Sequence, residues 1–172
     1  MEQVRDFGSE GWQVEEYVDV PERAQELGCR VPSGLALLPT NFETVATKRE
    51  LAHDLQGLTV RALWREAGLE ESRLEEPEEQ WPTAQKDAFE WLGPTIFVSA
   101  SLLSEDPNAV SVALGVVANY VTDFFKGVPR GQRRASLDVV VEDPPGSYRR
   151  VRYRGPPEGL QEAAQVVREL RQ

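Results

Sequence analysis

The sequence predicts an α+β fold. A buried central helix, at about 107–126, packs with a C-terminal β-hairpin and an amphipathic helix, and a mixed helical N-terminal half completes the chain. Three stretches carry this reading. Pro107 to Lys126 (PNAVSVALGVVANYVTDFFK) is apolar on nearly every side, and its polar or small positions, Ser111, Gly115, Asn119, Thr122, Asp123 and Lys126, fall on one narrow stripe. Residues 137–154 then switch from a helical period to a period of two. Beyond Pro157 the helical period returns, with Leu160, Ala163, Ala164, Val167 and Leu170 along one side.

Taken from the start, Trp12 to Val20 (WQVEEYVDV) has strand-forming residues, but its alternation slips at Glu15 and Glu16, which predicts a bulge or a short strand. Pro21 to Leu27 reads as a brief helix stopped by Gly28, and Leu35 to Leu38 as a buried strand or extended connection. Thr47 with Glu50 forms a capping-box pattern that predicts a helix to about Leu55. Gly57 breaks it, and a second helix follows from about Leu58 to Ala67. Leu69 to Gln80 holds six glutamates and one arginine, the composition of an exposed, mobile connection.

Asp87 to Leu92 (DAFEWL) is a short apolar patch closed by Gly93 and Pro94, and Thr95 to Val98 (TIFV) reads as a buried strand. Ser99 suits the cap of a single turn to Leu103. Asp106 and Pro107 suit the start of the central helix, which Gly127 and Pro129 stop. In the hairpin, Leu137, Val139 and Val141 share one face, as do Val151 and Tyr153, and residues 143–147 supply the turn. Asp138 and Glu142 then lie on the outer face with Arg150, Arg152 and Arg154, which predicts cross-strand ion pairs.

A chain of 172 residues forms one domain, 1–172, within which composition marks a mixed N-terminal sub-assembly (1–68), an acidic link (69–82) and an α+β core unit (83–172). One cysteine excludes an internal disulfide, and one histidine excludes a histidine-rich metal site. No cofactor or metal site is expected: no phosphate-cradling glycine loop, nucleophile elbow or kinase signature occurs. No basic stretch followed by an apolar run opens the chain, which predicts a cytoplasmic location. The central helix would reach about 30 Å, the thickness of a bilayer core. Asn119 and Asp123 within it, with strand-like sequence on both sides, favour a core helix instead.

The net charge of −10 is uneven. Residues 1–90 carry 20 acidic and 9 basic side chains, whereas Lys126 to Arg154 holds 8 basic against 3 acidic. Polarity of this kind orients partners or keeps a protein in solution. The candidate interaction surface is therefore Arg130, Arg133, Arg134, Arg149, Arg150, Arg152 and Arg154, with Tyr148 and Tyr153 interleaved where bases would stack. Self-pairing across the hairpin is the competing explanation of this stripe.

Catalytic signals are isolated. His53 sits near Glu50 in ELAHD, but general-base work needs a pocket and an orienting partner. Cys29 precedes Arg30, whose charge would lower a thiol pKa, yet no hydrolase pattern accompanies it. Asp138 with Glu142 has the spacing of a magnesium-binding pair, which the facing arginines would neutralise. Without a catalytic constellation, the sequence predicts a non-catalytic protein–protein interaction or regulatory module. Another protein or self-association is its expected partner, and nucleic acid is the alternative; no membrane partner is expected.

Two resemblances extend this reading. Thr47 to Leu69 resembles a degenerate DNA-binding helix-turn-helix, through Arg49 to Ala52, the Gly57 break and Thr59-Val60, with Lys48, Arg49, Arg61 and Arg65 as its cations. In the C-terminal half, Ala113 to Ala118, Leu137 to Val141, Tyr148 to Tyr153, Gly159-Leu160 and Val166 to Leu170 follow one another in a recognisable order. That order resembles the small helix–strand–strand–helix adaptor modules found beside effectors of bacterial conflict and antiviral defence systems. The resemblance implies a bacterial adaptor that couples sensors to effectors by protein contact, with no active site of its own.

Overall fold

The computed structural model describes residues 5–6, 11–84 and 90–171. Its centre is a mixed sheet of six strands: β1 (Arg5–Asp6), β2 (Gly11–Glu16), β3 (Leu35–Leu38), β6 (Glu90–Val98), β7 (Arg134–Glu142) and β8 (Tyr148–Gly155). The spatial order is β1-β2-β8-β7-β6-β3, so five substantial strands carry the sheet and the two-residue β1 borders it. All neighbours are antiparallel except β6 and β7, which run parallel. Strands paired in parallel need a crossover. Here it consists of α3 (Ala100–Glu105) and α4 (Pro107–Phe124). A separate two-stranded parallel ladder joins β4 (His53–Asp54) to β5 (Thr83–Ala84).

Alternation along the strands sends side chains to two cores. Trp12, Val14, Leu35, Leu37, Ile96, Val98, Val139, Val141, Val151 and Tyr153 face α4 together with α2 (Leu55–Glu66) and α5 (Ala163–Glu169). Ala36, Leu38, Phe97, Val140 and Tyr148 face the opposite way. They meet α1 (Val20–Glu26) together with Phe42, Val45, Leu51 and Leu74. Because β3 is covered on both sides, its sequence LALL is apolar at every position.

The expected C-terminal unit is present. Asp106 caps α4 by accepting a hydrogen bond from the Ala109 N–H. Val110, Ala113, Leu114, Val117, Ala118 and Val121 are its buried side, and the stripe from Asn119 to Lys126 faces solvent. The amphipathic segment begins as a 3-10 turn over Pro157–Glu162 and becomes α-helical only at α5. No helix among the described residues is long and apolar enough to cross a membrane.

The N-terminal half departs from expectation, because it is not mainly helical: it contributes three strands to the sheet and the β4–β5 ladder besides α1 and α2. Instead of a helix over 47–55 there is a 3-10 turn, Lys48–Glu50, followed by extended chain. Asn41 explains this. Its side-chain amide donates to the Glu50 carbonyl and its Oδ1 accepts from the Ala52 N–H, while the Thr40 N–H donates to the Ala52 carbonyl. Those backbone groups are no longer available to a helix. Gly57 lies within the first turn of α2, capped by Asp54, so no helix-turn-helix pair exists over 47–69.

The glutamate-rich segment is not an exposed connection either. Leu74 is fully buried and Glu75 is buried beside it, and the Ser72 N–H donates to the Leu35 carbonyl at the edge of β3. The patch expected at 87–92 lies partly outside the described residues. From residue 90 onward it is strand, since β6 runs through Gly93 and Pro94 with a register shift between Leu92 and Thr95. A bulge is where a strand tolerates proline, which lacks the N–H needed by the ladder.

Candidate functional site

The arginine surface was the first candidate, and the structure places most of it in internal contacts. Arg152 sends Nε and Nη2 to the two carboxylate oxygens of Asp138, at 3.0 and 3.1 Å. Arg150 reaches Glu15 from the neighbouring strand at 2.6 Å and Glu43 at 2.8 Å, with its guanidinium 5.5 Å from the centre of the Tyr17 ring. Arg149 donates to the carbonyls of Asp143 and Leu170, the latter at the end of α5, where a cation opposes the helix dipole favourably. Arg133 donates to the Val128 carbonyl and lies 3.5 Å from Glu158.

Arg134 and Arg154 border a cavity of about 320 Å³ at the end of β6, β7 and β8, and Arg130 is exposed on the 3-10 turn Arg130–Gln132. The stripe is therefore dispersed over both faces and both ends of the hairpin. Among the described residues Glu142 takes no arginine. It accepts from the Ala100 N–H, the Gly146 N–H and the Tyr148 hydroxyl. Burial and that carboxylate both push the Tyr148 phenol up. Tyr148 and Tyr153 are themselves buried, Tyr153 against Trp12, so neither is presented for base stacking.

A second site emerges where the sequence showed only isolated residues. The β4–β5 ladder, α2 and residues 73–83 enclose a cavity of about 640 Å³, lined among others by His53, Leu58, Arg61, Arg65, Arg73, Glu75 and Trp81. His53 is 6% exposed, and its Nε2 lies 3.4 Å from Glu75 Oε2. Glu50, the partner expected from helical spacing, instead accepts from Ala46 and Thr47, because no helix forms there. Trp81 packs on the His53 ring with centroids 5.1 Å apart.

Arg61 holds the cluster together. Its Nε lies 2.8 and 2.9 Å from the Glu71 oxygens, and its Nη1 3.1 Å from Glu75 Oε1. Its Nη2 is buried without a hydrogen-bond partner among the described residues. Burial opposes the Arg61 charge, but Glu71 and Glu75 outweigh it and push its pKa up. Burial likewise raises the Glu75 carboxyl, yet the hydrogen bonds from His53 and its own backbone N–H, with the Arg61 charge, bring it down to about 2. Glu79 is also lowered, first by the Glu76 N–H and then by Lys48, whose Nζ is 2.9 Å away.

Cys29 is buried and does not line this cavity; burial pushes its thiol up, against the pull of Lys48. A raised thiol pKa makes a poorer nucleophile at neutral pH, and Cys29 is not among the residues that line the cavity with His53. Among the described residues no group of three His, Cys, Asp or Glu side chains is arranged to hold a metal ion. Sequence reading missed Glu71, Arg73, Glu75 and Trp81 because six glutamates in a row of twelve read as solvent-exposed chain. The apolar Leu74 among them was the one signal of burial.

A third feature lies on α4. Val112, Val116, Tyr120 and Phe124 are four residues apart and form one inclined ridge along the helix. Val112 is 43% and Phe124 38% exposed, while Val116 and Tyr120 between them are partly buried. Beside the ridge, a Cβ at Gly115 would meet nothing within 4 Å, so the surface there is open.

The fold and these sites define an α+β protein built on a mixed sheet, with helices covering one face and part of the other. No family model matches the chain, nor does any curated protein or solved structure.

Proposed function

We propose that the protein is a non-catalytic interaction module that acts by binding another protein or a second copy of itself. The observation that carries this reading is the solvent-facing ridge of α4. Val112 and Phe124 are exposed at its two ends, with Val116 and Tyr120 partly buried between them, and apolar side chains left on a helix surface are the usual raw material of helix packing across an interface. Val112 and Phe124 are two of the four large apolar side chains most exposed among the described residues. The contact surface proposed here is thus α4, and the arginine stripe plays a mostly structural part.

Two further observations favour binding over chemistry. The buried histidine is committed to Glu75, and the one cysteine is buried with its thiol pKa raised. The nucleic-acid alternative has less support, because Arg149, Arg150 and Arg152 are engaged within the protein. The resemblance of residues 113–170 to adaptors of bacterial conflict and antiviral defence systems suggests an effector or sensor as the partner. Native mass measurement of the protein purified from its own cells tests the reading. A stable protein complex or homodimer is expected, and a bare monomer counts against it.

A further inference from the structure

We propose that the cavity between α2 and residues 73–83 binds a small planar organic anion. Arg65 and Arg73 hold its carboxylate or phosphate, and Trp81 packs against its body. At about 640 Å³ the cavity has the size of a small-molecule site, roughly 300–1,000 Å³.

The class of ligand follows from which polar groups are already engaged. Every carboxylate of the cluster is taken: Glu71 by Arg61, Glu75 by Arg61 and His53, and Glu79 by Lys48 and the Glu76 N–H. Two of the cations, Arg65 and Arg73, are engaged little or not at all. Arg65 lines the cavity with no hydrogen bond or ion pair among the described residues, and Arg73 has only Glu71 at 3.9 Å. What the cavity has left to offer is therefore guanidinium N–H, which suits planar oxyanions.

The walls set the rest of the ligand. Trp81 is backed by the His53 ring, and Leu58 and Pro82 add apolar surface although Leu58 is 47% exposed. An aromatic ring beside one unpaired guanidinium, Arg65, and one loosely paired, Arg73, together select a flat body with a charged end.

Intrinsic fluorescence of the full chain tests this, because Trp12, Trp64 and Trp91 are at most 6% exposed and Trp81 is the tryptophan that lines the cavity. The chain is titrated separately with phenyl phosphate, benzoate and neutral benzyl alcohol. At least one anion should give a saturable change with a Kd of about 1 mM or tighter, and benzyl alcohol should give none. The stronger of the two anions tells phosphate from carboxylate. Trp81→Phe should abolish the signal, and Arg65→Ala with Arg73→Ala should weaken binding by about tenfold or more. Arg65→Gln alone, at an exposed residue without a partner, should weaken it in the same direction and controls for folding. The proposal is overturned if neither anion saturates, if benzyl alcohol binds equally well, or if the arginine variants bind like the native chain.

Discussion

Arg152 of β8 faces Asp138 of β7 directly across the antiparallel ladder, and its guanidinium grips both carboxylate oxygens. One such pair turns an apparent nucleic-acid surface into part of the sheet. The half-buried setting, with side chains 27% and 19% exposed, places the pair between a surface and a core ion pair. A double-mutant cycle on Asp138→Ala and Arg152→Ala should give a coupling of about 1 kcal/mol, read from urea denaturation. A coupling of zero would mean that the pair does not hold the hairpin face.

The same pairing bears on the expected binding of nucleic acid. With Arg149, Arg150 and Arg152 engaged and the net charge at −10, the chain should show no salt-sensitive binding to DNA or RNA at low ionic strength. Filter binding at two salt concentrations checks this. A steep loss of binding with salt would restore the arginine surface as a functional site.

Glu75 gives a pH dependence of definite sign. Its folded pKa of about 2 lies below the ordinary carboxylate value of 4.5, so its contribution to stability is fully present above pH 4.5 and is lost as pH falls through about 2. The shift corresponds to about 3 kcal/mol. Glu75→Gln should therefore destabilise the protein at pH 7, and the gap in melting temperature between native chain and variant should close as pH is lowered from 4.5 toward 2. A gap independent of pH would show that the carboxylate charge is not what stabilises the cluster.

Gly93 is required by close approach. A Cβ there would lie 2.4 Å from the Trp91 ring and 2.8 Å from the Ser136 carbonyl oxygen, inside the β6 bulge. Trp91 is fully buried and its Nε1–H donates to Gln56 at 3.0 Å, so the ring has no room to retreat. Gly93→Ala should cost about 2 kcal/mol of stability, measured by denaturant midpoint. A neutral substitution would mean that the strand can shift without loss.

What could be read from sequence was what is local. The central helix, its Asp106 cap, the hairpin and the C-terminal amphipathic segment each announce themselves within about twenty residues by period and turn chemistry, and the hairpin's period of two also implied cross-strand ion pairs on its outer face, of which Asp138–Arg152 forms and a Glu142 pair does not. The parallel β6–β7 pairing did not show, because 35 residues and two helices separate Val98 from Arg134. The region 47–54 misled for a different reason. Thr47 and Glu50 do interact, but Asn41 captures the backbone groups that a helix would have used. The site around His53 was hidden by composition, since glutamates 71 and 75 become buried only through Arg61 and His53.

On the proposed reading this chain works through protein contact at the α4 ridge. The most direct test is the native mass of the tagged full chain purified from its own cells, beside the variant Val112→Glu with Phe124→Glu. Val112 and Phe124 are 43% and 38% exposed, and the Phe124 ring also meets Phe125 edge-on, so the variant should lose about 1–2 kcal/mol of stability yet stay folded, which its melting curve checks beside the mass. A complex or homodimer is expected for the native chain and a monomer for the variant. A monomer in both, or an unchanged complex in the variant, would contradict it.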